Sequence, residues 1–112
     1  MNKYLEFYKN VGLTKPFDDK HVLLSYFIDD TKYQINEVIA DLESVLKGEK
    51  TFVEILEHPQ VAWDFGEGSG QFECNENTAY FIADKNTNLP SMQMPLKELI
   101  EILYEWKIFL NK

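Results

Sequence analysis

The sequence predicts an α+β fold: an antiparallel sheet of about four or five short strands, packed against a central and a C-terminal helix and preceded by a short N-terminal helix. Three observations carry this. Ile35, Val38, Ile39, Leu42, Val45 and Leu46 recur at helical spacing, as do Leu96, Leu99, Ile100, Leu103, Trp106 and Leu110. Between those stripes lie the short aromatic-rich runs VAWDF, QFECN and AYFIAD, separated by GEGSG and NENT, which is the spacing of an antiparallel meander.

Taken in order, Tyr4, Phe7, Tyr8 and Val11 followed by Gly12 suggest a short amphipathic helix over residues 2–11. The apolar run HVLLSYFI at 21–28 suggests a strand. Asp29, Asp30 and Thr31 offer N-cap oxygens to the central helix, which ends at Gly48. TFVEILE at 51–57 fits neither period cleanly and is assigned a short strand closed by Pro59. Strands follow at 61–65, 71–75 and 79–84, and Pro95 is placed in the first turn of the last helix, 95–110. At 112 residues, with no linker, repeat or low-complexity tract, the chain reads as one domain, 1–112.

Charge narrows the function. All 11 basic residues are lysines, whereas phosphate recognition and phosphoryl transfer usually recruit the forked guanidinium of arginine. Between Asp18 and Glu76 there are 14 carboxylates against 4 lysines, a local surplus of ten that exceeds the net −8 of the whole chain. Such a field repels nucleic acid and draws in cationic partners. No apolar run reaches the ~18 residues of a bilayer span and the N-terminus lacks the pattern of a secretory signal, so a cytoplasmic protein that does not enter membranes is expected.

Catalytic and ligand motifs fail on inspection. The glycines of GEGSG are flanked by Asp64, Glu67 and Glu73 and lead into QFECN rather than a helix, so they suit a hairpin corner with positive φ at Gly66, Gly68 and Gly70, not a phosphate cradle. Asp84, Asn86 and Asn88 match the start of an EF-hand loop, but Leu89 stands where its glycine belongs and Pro95 where its glutamate belongs. His21 and His58 have no metal-ligand spacing. Cys74 has no cysteine to pair with, and neighbouring Glu73 and Glu76 are expected to raise its pKa, which makes it a structural thiol rather than a nucleophile. Neither enzyme activity nor a cofactor or metal is expected.

The order of a central helix ending in LKGEK, short strands carrying WDFGEGSGQFECNENTAYFIAD, and a closing helix in LPSMQMPLKELIEILYEWKIFL resembles the small acidic immunity proteins encoded beside bacterial contact-dependent or polymorphic toxins. The resemblance implies a protein that binds one cognate toxin domain, often a nuclease, and covers its active site or an essential surface. The expected partner is thus a toxin domain with a basic surface, bound by a chain that is a monomer when free. Contact residues are expected at Asp64, Glu67, Glu73 and Glu76 around the hairpin corner, with Trp63 or Phe65 as an aromatic anchor. The competing expectation is a small structural or adaptor subunit acting through oligomerisation.

Overall fold

A computed structural model describes residues 2–8, 10–57 and 63–112. The chain opens on a hairpin where a helix was expected: β1 (Leu5–Tyr8) runs antiparallel to β2 (Leu13–Pro16), with Leu5 opposite Pro16 and Phe7 opposite Thr14. In LEFY every second side chain turns inward. Leu5 is buried and Phe7 packs on Trp106 at 5.0 Å, while Glu6 and Tyr8 face water. That two-residue period overrides the helical spacing of Tyr4, Phe7, Tyr8 and Val11. Gly12, at φ +63°, serves the turn rather than a helix end.

A 3-10 turn over Asp19–His21, capped by the Asp18 carboxylate on the Lys20 amide, leads into α1 (Val22–Thr31). The expected strand at 21–28 is therefore a helix. Leu23, Leu24, Phe27, Ile28 and Thr31 are all buried, a stripe at helical spacing. A short run this apolar has no period-2 contrast to betray its type.

The expected capping role of Asp29, Asp30 and Thr31 is also corrected, because they form the last turn of α1. The central helix, α2 (Ile35–Leu46), starts after Gln34 with no side-chain cap, and buries Val38, Ile39, Leu42 and Val45 as expected. Asp29 instead ties α1 to the hairpin: its Oδ1 accepts from the Thr14 backbone N–H at 2.7 Å and from Thr14 Oγ1 at 2.9 Å.

Burial raises the Asp29 pKa above its ordinary value, against the opposing pull of the Thr14 hydrogen bonds. The folded state therefore holds this proton more tightly than the unfolded chain, so Asp29's contribution to stability falls as pH rises from the unfolded pKa of 3.8 through the raised folded value. Asp29→Asn keeps a carbonyl acceptor without the buried charge. It should match or exceed the parent in stability at neutral pH and lack this pH term. Asp29→Ala, which strands the Thr14 amide, should cost about 1–3 kcal/mol. Urea titrations of both variants at pH 4 and pH 7 check this.

TFVEILE, expected as a strand, contains α3 (Phe52–Leu56). Thr51 and Glu54 form a reciprocal capping box, the Thr51 hydroxyl accepting from the Glu54 amide and the Glu54 carboxylate from the Thr51 amide, which decides the ambiguous period in favour of a helical turn.

The meander follows. β3 (Asp64–Phe65), β4 (Gly70–Cys74), β5 (Thr78–Ala83) and β6 (Met92–Pro95) lie in sequence order in one antiparallel sheet. Val61 and Ala62, expected to begin the strand ending at Phe65, and Pro59, expected to close the preceding segment, lie outside the described residues. β6 was not expected. Met92 faces Phe81 across the ladder and Met94 faces Ala79, and Pro95 ends this strand as the N-cap of α4 (Leu96–Leu110) instead of entering its first turn.

The fold is thus α+β, with antiparallel sheets of two and four strands. The inner face of the larger sheet carries Phe72, Phe81, Ala79 and Met94, onto which α1 and α4 pack, with α2 against α4. Its outer face is open, with Asp64, Gln71, Glu73, Ile82 and Gln93 exposed.

Candidate functional site

The β3–β4 corner is built by backbone conformation first. Gly66, Glu67 and Gly68 have φ of +62°, +55° and +88° in succession, and the Ser69 amide and hydroxyl both donate to the Gly66 carbonyl. A Cβ on Gly66 would lie 2.9 Å from the Tyr26 ring, so glycine is required there twice over. Gly70, expected to share positive φ, does not. It is small because a Cβ would meet the Phe65 ring at 2.9 Å and the Ile82 carbonyl at 3.0 Å. The unexpected left-handed residue is Glu67, a conformation that costs a residue with a side chain about 1–2 kcal/mol.

This corner gathers carboxylates from three elements. Asp30, on the last turn of α1, accepts the Gly66 amide at 2.8 Å. Asp64 is exposed on β3 and Glu67 is exposed at the tip. Asp84, just past β5, has its amide bonded to the Ser69 carbonyl at 2.9 Å, which pins its chain to the same turn. The exposed edge of Tyr26 adds an aromatic surface beside Gly66.

Of the expected contact residues, Asp64 and Glu67 come together here, and the rest do not. Glu73 stands in mid-strand opposite Tyr80 on the outer face of the sheet. Glu76 lies in the β4–β5 turn, at the other end of a strand about 13 Å long, beside Gly48.

Trp63 and Phe65, expected to offer an aromatic anchor, are turned inward. They are 5% and 3% exposed, and they belong to the core. The Trp63 indole N–H donates to the Ile55 carbonyl, its ring stacks on Phe72 at 5.4 Å, and Phe65 packs edge-on against Phe27 at 5.7 Å.

Tyr26, Asp30 and Asp84 were missed in the sequence. The signal for the first two was present: once HVLLSYFIDDT is a helix, Tyr26 and Asp30 sit four apart on its exposed face.

The remaining reactive groups are accounted for by structure. Burial, and not the neighbouring glutamates as expected, pushes the Cys74 thiol up to about 12. Iodoacetamide at pH 7.5 should therefore modify Cys74 slowly in the native protein and at the rate of a free thiol in denaturant; equal rates in the two would contradict this burial. His21 packs edge-on against the Tyr4 ring at 4.9 Å, and burial lowers its pKa. His58 lies outside the described residues. Asp84 Oδ1 accepts the Asn86 amide in a local turn. Among the described residues, no group of three or more His, Cys, Asp and Glu side chains is placed to hold a metal ion, and no helix is long and apolar enough to cross a membrane.

Compared with protein-family models, curated proteins and solved structures, the chain matches none.

Proposed function

We propose that this chain is a cytoplasmic immunity protein that neutralises a cognate toxin domain by stoichiometric binding, without turnover, and that the β3–β4 corner docks on a basic surface of that domain. The observation that carries this reading is the hydrogen-bonded corner itself. Asp30 at the end of α1, Asp64 and Glu67 in β3 and its turn, and Asp84 just past β5 are brought to one corner, and Glu67 occupies a backbone conformation that a glycine would adopt at lower cost.

A nuclease must offer positive charge to its polyanionic substrate. A preorganised set of carboxylates meets that charge as a substrate mimic, gaining both encounter rate and specificity. The acidic surplus between Asp18 and Glu76, and the resemblance of the chain's layout to immunity proteins, support the same reading.

The test is to express the polypeptide encoded beside this chain, alone and together with it. The proposal predicts growth arrest that this chain relieves, and a 1:1 complex on mixing whose affinity falls with salt. A non-toxic neighbour, or toxicity that this chain leaves untouched, contradicts it.

A further inference from the structure

On another part of the surface from the corner, the β1–β2 hairpin and the last turns of α4 enclose an open groove of ≈ 400 Å³. Its floor is apolar, formed by Leu5, Phe7, Phe17, Ile108 and Phe109. Phe17 and Ile108 remain 58% and 59% exposed, so two large apolar side chains of the same floor stand open to water.

The rim is acidic. Glu6 and Glu105 border the floor, and the groove continues along α4 into a second hollow of ≈ 250 Å³ bordered by Glu98, Glu101 and Glu105. Those three glutamates lie at i, i+3 and i+7, on one side of the helix, and the Tyr4 hydroxyl donates to Glu98 at 2.8 Å, fixing one of them in place. Among the described residues, Lys3 and Lys112 are the lysines that border the two hollows.

We infer that this groove docks a basic amphipathic helix of a partner protein, with its apolar residues on Phe17 and Ile108 and its lysines or arginines on Glu6 and Glu101. From Glu98 to Leu110 the helix wall runs about 18 Å, which a guest helix of about fourteen residues spans. Charge decides between occupants. A second copy would bring the same glutamates onto themselves, each chain carrying a net −8, and an anionic membrane surface would be repelled. The inference is independent of the corner and of the toxin reading.

The test uses a fluorescein-labelled fourteen-residue helix of leucine and lysine with apolar residues on one face, titrated with the full chain and followed by anisotropy. Its control has every lysine replaced by glutamate. The lysine peptide should bind at micromolar concentration. Ile108→Ser and Glu101→Lys should each weaken it at least fivefold with unchanged circular dichroism, and Glu49→Lys, an equal charge change on an exposed loop away from the groove, should have less than a twofold effect.

Three results would overturn the inference: no binding to the lysine peptide, equal binding of the glutamate peptide, or equal weakening by all three substitutions, which marks diffuse charge attraction. Sedimentation showing a dimer that Ile108→Ser dissociates would also overturn it, by assigning the groove to a second copy.

Discussion

Phe72→Ala should lower the unfolding free energy by about 3–5 kcal/mol, the usual cost of removing a fully packed aromatic ring. Phe72 is 2% exposed and stacks on Phe27 of α1 at 4.8 Å and on Trp63 at 5.4 Å. It also meets Phe81 of β5 at 5.4 Å and Phe52 of α3 at 5.9 Å. One side chain therefore joins two helices, the sheet and the segment entering β3. A domain of this size has only about 5–15 kcal/mol of stability, so a large share of the margin depends on this contact set. Urea unfolding should show a large drop in midpoint at unchanged slope. Val53→Ala, at a 67% exposed position on α3, should stay within about 0.5 kcal/mol of the parent. A cost below about 1 kcal/mol for Phe72→Ala would contradict the packing described here.

The second large effect concerns association with the proposed toxin domain. Asp64→Lys combined with Glu67→Lys reverses two exposed charges at the corner and leaves Asp30 free to hold Gly66. At low ionic strength the double variant should associate more than tenfold more slowly than the parent, and the two rates should converge as salt screens the field. Glu76→Lys, at the far end of β4, should change the rate far less. If Glu76→Lys slows association as much per charge as the corner substitutions do, net charge rather than the corner governs the encounter.

Much of the fold was legible where one period dominated. The stripe from Ile35 to Val45 and that from Leu96 to Trp106 each bury one helical face, and the glycine-rich GEGSG marks the corner between two strands. Legibility failed where two periods coexist. Tyr4, Phe7, Tyr8 and Val11 mimic a helix, but Leu5 is the buried residue and shares the inward face of strand β1 with Phe7. At 51–54 the capping box lay in plain view in TFVE, and its local hydrogen bonds outweigh the β-branched residues that suggested a strand.

The site was partly legible for a related reason. Asp64 and Glu67 adjoin the glycines, so proximity in sequence revealed them. Asp30 reaches the same turn only through a hydrogen bond to Gly66, 36 residues away, which no local pattern encodes. Trp63 and Phe65 misled because alternating aromatics on short strands do not say which face is covered. Here the N–H of Trp63 finds its acceptor inside, on Ile55.

The central claim, that the β3–β4 corner is the docking surface, is tested most directly by backbone amide shift mapping of the isotope-labelled chain during titration with an inactive form of the toxin domain. The account predicts the largest perturbations at Gly66, Glu67, Gly68 and Ser69, with Asp30 and Tyr26 following and α2 unmoved. Perturbations confined to the groove between β1 and α4, or to the β6 edge, with the corner silent, would contradict it.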